Sequence, residues 1–263
     1  MTVWGVRGSF PMTGADYAEY GGNTCCISID FGETAVILDA GSGLARLGRE
    51  LERQHRKRAD ILITHVHMDH CLGLFGFRLF HDPEAEIHLY GTAHDGIPFR
   101  QCLHTLAGPP YWPLGLNDFP ARVLIHEVCP GDTFRLSGME NMPQVPAVQT
   151  LAGNHPNQSL FYRLEWSGKS ILYALDCELD DCLRSYLTEF ARNTDLLIWD
   201  ASFTEEDLLR RKGWGHSAWK EGAALGRAAG AGRVLMTHYA ADYADAFLRK
   251  QEETAAMQDS IIL

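Results

Sequence analysis

Short apolar runs, broken by glycine and by polar turns, punctuate most of this chain. TCCISIDF (24–31) and TAVILDA (34–40) predict paired strands joined at Gly32 and Glu33. ADILITH (59–65) and EIHLYG (86–91) predict two more. ARVLIHEV (121–128), PAVQTLAG (146–153), SLFYRLEW (159–166), SILYALD (170–176), DLLIWD (195–200) and RVLMTH (233–238) continue the series. Between them the period changes. Leu44, Leu47 and Leu51 recur at helical spacing within 42–54, and 179–192 and 242–257 also read as helices. Ser217 is placed to N-cap a helix running to Ala229. Residues 92–120, with the turn-rich GPPYWPLG, read as irregular. Strands in both halves, with helices distributed after them, predict a mixed sheet sandwich covered by helices. No linker-like stretch divides the chain, so one domain over 1–263 is expected.

Four of the strands end on a potential ligand or acid: ILIT-His65, LYAL-Asp176, LLIW-Asp200 and VLMT-His238. Rigid strands aim side chains at the carboxyl edge of a sheet, where sites collect. ILITH and VLMTH echo one another, which points to two similar halves serving one site.

Composition narrows the functions this edge could serve. The chain has 263 residues, 46% of them hydrophobic and 22% charged, enough to bury a substantial core. Its formal net charge of −11 disfavours a broad phosphate-backbone footprint, which needs a basic face. A small anionic substrate remains compatible, since it needs only local positive charge. The seven cysteines form no C-x-x-C pair, and MTVWGVRGSF lacks the pattern of a signal peptide. Reduced thiols and a cytoplasmic location are therefore expected. No apolar run is long enough to span a bilayer.

The sharpest chemical signal is ITHVHMDH (63–70). His65 and His67 alternate on one side of an extended stretch, and Asp69 and His70 follow as the chain turns into a helix. Imidazole and carboxylate suit Zn²⁺, Mn²⁺ or Fe²⁺, and four such groups in six residues can serve two ions.

This stretch resembles the H-x-H-x-D-H signature of the metallo-β-lactamase-fold hydrolases, and the resemblance extends over essentially the whole chain. Asp39 in LDAGSGL resembles that family's buried structural aspartate, and His155 in AGNHPNQ its third histidine. Asp176 in YALDCE resembles the metal-bridging aspartate, and His238 in MTHY the last histidine. The resemblance implies an α/β fold, an αββα four-layer sandwich, holding two divalent transition metal ions. Zn²⁺ is the first expectation, with Mn²⁺ or Fe²⁺ as alternatives. It implies one ion on His65, His67 and His155 and the other on Asp69, His70 and His238. Asp176 and a hydroxide nucleophile would bridge them, and Asp69 would be catalytic as well as ligating. His55, His81, His88, His94, His104 and His126 match nothing in the pattern and read as surface or core histidines.

DLLIWDASF followed by GWGHSAWKEGAALG is similar to the phosphodiesterase branch of that superfamily, which includes the transfer-RNA 3′-end endonucleases (RNase Z) and smaller cyclic-phosphate hydrolases. The likeness implies that Asp200 pairs with His216 and that His216 protonates the leaving oxygen. RNase Z usually has glutamate at the acid position, so Asp200 is a departure that shortens the reach. The chemistry supports the pairing, because an alkoxide is a poor leaving group and an imidazolium is matched to it near neutral pH.

WGVRGSFP and YGGNTCC are similar to a bacterial subgroup of these hydrolases whose substrates are mostly undefined. Arg7 and Asn23 there could touch a phosphate or simply shape a β-hairpin, and Tyr111 or Trp112 could stack on a substrate or pack a lid. RQHRKR (53–58) and Arg210-Arg211-Lys212 read as solvated helix ends, and no long basic arm is present. The expected partner is thus a small-molecule phosphodiester, cyclic or otherwise, with no large nucleic acid and no membrane; a homodimer is left open. The alternative is an acyl hydrolase of lactonase, thioesterase or β-lactamase type on the same metals. A catalytically idle sensing domain is a third reading, disfavoured by the complete ligand set.

Overall fold

Two compact units make up the computed structural model, which describes residues 1–139, 145–256 and 261–262. Unit 1 comprises Met1–Gly5, Asn23–Cys129 and Arg135–Val145; unit 2 comprises Val6–Gly22, Pro130–Phe134 and Pro146–Leu263.

In unit 1, β1 (Thr2–Gly5), β2 (Cys26–Phe31) and β3 (Thr34–Leu38) run antiparallel, with Ile27 opposite Leu38 and Phe31 opposite Thr34 across the Gly32 turn. Helix α1 (Leu44–Arg53) then crosses over to β4 (Arg58–Leu62), which pairs parallel with β3. Parallel strands need such a crossover. The short α2 (Met68–Cys71) leads on to β5 (Glu86–Gly91), and α3 (Phe99–Leu106) to β6 (Arg122–Glu127), completing a six-stranded sheet in sequence order. Leu44, Leu47 and Leu51 bury the predicted α1 stripe against Ile37, Ile61, Ile87 and Leu89. Helix α3 corrects the expectation of an irregular 92–120 stretch. Phe99 and Leu103, four residues apart, are both buried, and the neighbouring proline-rich turn had masked that pair in the sequence.

In unit 2, β7 (Thr133–Arg135), β8 (Ala147–Gly153), β9 (Ser159–Trp166) and β10 (Lys169–Ala174) precede α4 (Asp181–Phe190). Then come β11 (Leu196–Asp200), α5 (Glu205–Arg210), α6 (Trp219–Ala229), β12 (Arg233–Thr237), α7 (Asp245–Ala256) and β13 (Ile261–Ile262). The seven strands lie in sequence order. Strands β8 to β10 run antiparallel, and β10 to β13 parallel. Leu172, Leu197, Trp199, Val234 and Met236 share a core with Trp219 and Leu225 of α6.

Ser217 does not cap α6. Ala218 is the N-cap, its N–H donating to Glu221 Oε2 at 3.0 Å, while the Ser217 hydroxyl donates to the Cys177 carbonyl. Among the strands and helices not anticipated are β1, β7, α5 and β13, all short. The expected last residue of the C-terminal helix, 257, lies outside the described residues. Among the described residues no helix is long and apolar enough to cross a membrane.

Candidate active site

In unit 1 the candidate residues gather just beyond β3 and β4. Asp39 follows β3 in a left-handed conformation (φ 58°) and is fully buried. An aspartate tolerates that conformation better than a bulky residue, and a buried one at a strand end is over-determined by its bonds. Asp39 Oδ1 accepts from the Thr64 N–H at 2.8 Å and the Thr64 hydroxyl lies 3.0 Å from both carboxylate oxygens. His70, presented by α2, donates Nδ1–H to Asp39 Oδ2 at 2.7 Å. That bond fixes the tautomer and leaves the ring's lone pair on Nε2, 3.2 Å from Asp69 Oδ2. The His65 ring centroid lies 4.3 Å from those of both His67 and His70. All four residues of the H-x-H-x-D-H stretch are thus drawn together, His65, Asp69 and His70 buried and His67 half-buried.

In unit 2 the other candidates sit along one edge of the sheet. Strands β10, β11 and β12 are adjacent and parallel, so Asp176, Asp200 and His238 leave the same end. Asp176 and His238 both kink into left-handed backbone there (φ 55° and 63°). His238 Nε2 lies 3.1 Å from Asp176 Oδ1, and His155 Nε2 lies 3.7 Å from Asp176 Oδ2. His155 donates Nδ1–H to the Gly215 carbonyl at 2.7 Å, so its lone pair is also on Nε2. Gly215 is required there. Its φ is 79°, and a Cβ would sit 2.4 Å from His155 Nδ1 and 2.3 Å from Pro156 Cδ.

The same turn delivers His216. Its Nδ1 lies 3.1 Å from Asp200 Oδ2 and 3.7 Å from Asp176 Oδ2. Burial works against charge on His216, but Asp200 and then Asp176 outweigh it and raise its pKa above the ordinary value. Burial would push Asp200 up, yet His216 and His238 hold it well below the usual carboxylate range. With Nδ1 facing the carboxylates, Nε2 is the nitrogen that can deliver a proton.

Ser202 is a residue that the sequence did not single out. Its hydroxyl donates to Asp200 Oδ1 at 2.5 Å, and the same oxygen accepts the Ser202 N–H at 2.9 Å. With its hydrogen committed to the carboxylate, Ser202 Oγ accepts Nδ1–H from His238 at 2.9 Å. Asp-Ala-Ser in the sequence looks like any strand-end turn, so only the fold reveals the link. Glu178 was missed as well: Oε2 accepts the N–H groups of Gly213 (2.5 Å) and Gly215 (3.4 Å).

These bonds test whether a metal suits the site. His238 Nε2 faces Asp176 at 3.1 Å in unit 2, and His70 Nε2 faces Asp69 at 3.2 Å in unit 1. In each case the tautomer set by the other nitrogen brings two lone-pair atoms together, which repel unless a cation or proton lies between them. Histidines whose second nitrogen is held by a carboxylate, carbonyl or hydroxyl are the usual metal-ligand arrangement. His238 with Asp176, and His70 with Asp69, therefore each present a nitrogen and a carboxylate oxygen as donors. The set fits a divalent metal.

Other expectations resolve differently. Arg7 is fully buried and structural: Nε donates to the Gly21 carbonyl at 2.8 Å, Nη1 to the Tyr243 carbonyl and Nη2 to Asp245 Oδ1 at 2.9 Å. It is therefore not placed to meet a phosphate. Asn23 Oδ1 accepts from the Ser42 hydroxyl at 3.0 Å. Trp112 stacks on Phe75 at 4.8 Å, while Tyr111 is exposed. Arg53, Arg56 and Lys57 pair with Glu50, Asp30 and Asp82 at the solvated end of α1. His88 and His126 lie on neighbouring strands with Nδ1 and Nε2 2.8 Å apart.

The chain is similar to known proteins. Residues 34–239 match the beta-lactamase superfamily domain. Ribonuclease Z of Porphyromonas gingivalis is 25% identical over 270 residues, covering 82% of this chain and 83% of that protein. The metallo-beta-lactamase fold protein YhfI from Bacillus subtilis is similar with a TM-score of 0.71 at 20% identity, covering 100% of this chain and 93% of that one. A diphosphatase from the PhnP family gives 0.66 at 19% identity, with coverage of 100% and 93%. The α/β fold class expected from the sequence is the metallo-β-lactamase fold of these structures.

Proposed function

The chain belongs to the beta-lactamase superfamily, and from that premise we propose that it is a metal-dependent phosphodiesterase acting on a small or cyclic phosphodiester. The observation that carries this reading is the buried His216–Asp200 pair, 3.1 Å apart beside Asp176. A lactone, thioester or lactam hydrolase has less use for a proton donor held in this way, whereas an alkoxide leaving from phosphorus needs one.

In this reading His65, His67, Asp69, His70, His155, Asp176 and His238 would ligate two divalent ions, Zn²⁺ in the first instance. Such ions, when bound, lower the pKa of coordinated water and neutralise charge developing on phosphoryl oxygens. The chain's own residues do the rest. Asp39, Ser202 and the Gly215 carbonyl orient His70, His238 and His155 through their Nδ1 atoms. Asp200 holds His216 by Nδ1 and supports its charge, so that Nε2 can give a proton to the leaving oxygen. The net charge of −11 favours a small substrate over a long polyanion.

A turnover screen of the metal-loaded protein tests the assignment. Bis-p-nitrophenyl phosphate is expected to turn over well above a lactone, a thioester panel and nitrocefin. Turnover of an acyl substrate with none of the phosphodiester would replace this reading by the acyl-hydrolase one.

A further inference from the structure

Two residues beyond Asp176, and like it in unit 2, Glu178 is tied to the chain neighbours of both His155 and His216. Its backbone N–H donates to the Asn154 carbonyl at 2.8 Å, and its own carbonyl accepts Asn154 Nδ2–H at 2.9 Å. Its side chain turns to the other loop. There Oε2 accepts the N–H groups of Gly213 at 2.5 Å and Gly215 at 3.4 Å. On the far side of His216 the Ser217 hydroxyl donates to the Cys177 carbonyl. His216 is thus bracketed by bonds to residues 177 and 178.

The turn is built to meet that carboxylate. Gly213 and Gly215 both have positive φ, 86° and 79°, which glycine adopts at no steric cost. Two N–H groups two residues apart then converge on one oxygen, as in the backbone concavities that bind anions. Water could satisfy the N–H of Gly213, which is exposed, but it would not fix the direction in which the turn enters the interior. Gly215 and His216 are buried, so that direction decides where the His216 imidazole arrives. It also decides where the Gly215 carbonyl points, and this carbonyl receives His155 Nδ1–H at 2.7 Å. One carboxylate stands behind two imidazoles.

We propose that Glu178 is a positioning residue that, by holding the 213–215 turn, sets His216 Nδ1 against Asp200 and His155 Nε2 toward Asp176 at the same time. The His216 half rests on the phosphodiesterase reading above, whereas the His155 half needs only that the site holds metal. The role belongs to the reach of the side chain. Both bonds end on an oxygen that glutamine also offers, while aspartate is one methylene too short.

Glu178→Asp and Glu178→Gln therefore separate reach from charge. In a chelator competition, Glu178→Asp is expected to bind Zn²⁺ more weakly by about 10-fold, the low end of what losing an orienting partner costs a ligand. Its turnover of an alkyl phosphodiester should fall further than its turnover of a p-nitrophenyl ester, because only the alkoxide needs the proton. Glu178→Gln should retain most of both. A bond that served folding alone would lower the two rates together and leave their ratio unchanged. Wild-type Zn²⁺ affinity or a wild-type rate ratio in Glu178→Asp would overturn the proposal, as would equal losses in the two variants. Absence of phosphodiester turnover in the wild type would overturn the His216 half together with the reading it rests on. The affinity comparison, made without substrate, would still decide the His155 half.

Discussion

At Ser202 one hydroxyl serves two neighbours, giving its hydrogen to Asp200 and receiving that of His238 Nδ1. It joins the candidate acid pair to a candidate metal ligand. Ser202→Ala would leave the Nδ1–H of a fully buried imidazole without this acceptor and Asp200 without one of its donors. An unsatisfied buried group costs about 1–3 kcal/mol, and loss of an orienting partner typically weakens metal affinity by about 10–100-fold. The variant is therefore expected to be less stable in urea and to release metal more readily in a chelator competition. Wild-type metal affinity would show that His238 needs no such support. None of this was legible in the chain. The ligands stood out because histidine and aspartate at the ends of apolar strands are unusual, whereas a serine two residues beyond a strand is ordinary. Arg7 makes the converse point: a lone arginine in a glycine-rich motif invites a phosphate, and only the fold shows it buried against Asp245.

Helix α6 shows how elements were read well in type and less well in detail. The sequence predicts it from a Ser217 cap, but its start depends on Glu221 reaching back to the Ala218 N–H, a bond that competes with any cap from Ser217. Likewise α3 was hidden because proline-rich neighbours outweighed a single buried pair. Within α6, Gly222 lies against Trp199, and a Cβ there would be 2.2 Å from Trp199 Cδ1. Replacing glycine by alanine in a helix interior normally gains about 0.8–1.0 kcal/mol. Overpacking a full core typically loses about 1–3 kcal/mol, and Trp199 cannot swing aside easily because it is fully buried and its Nε1 donates to the Ala218 carbonyl at 3.2 Å. Packing wins. Gly222→Ala is expected to lower unfolding stability by about 1–2 kcal/mol in chemical denaturation; an unchanged or raised stability would mean the contact relaxes freely.

Across the whole molecule, the strand series and the residues at the strand ends carried both the fold class and the candidate ligands, because buried strands and metal donors have distinct composition and spacing. What could not be read was which nitrogen of each histidine faces inward, since that is set by partners far away in sequence: Asp39 for His70, Gly215 for His155 and Ser202 for His238. The central claim is that this scaffold delivers a proton from His216 to a leaving oxygen. Its direct test compares wild type with His216→Ala on two phosphodiesters, one losing an alkoxide and one losing p-nitrophenolate, with metal content measured on both proteins. General acid catalysis contributes about 10²–10⁴-fold, and p-nitrophenolate is stable enough to leave without it. A loss of about that size is expected on the alkyl ester, with a much smaller loss on the p-nitrophenyl ester and unchanged metal content. Equal losses on both esters at full metal occupancy would contradict it.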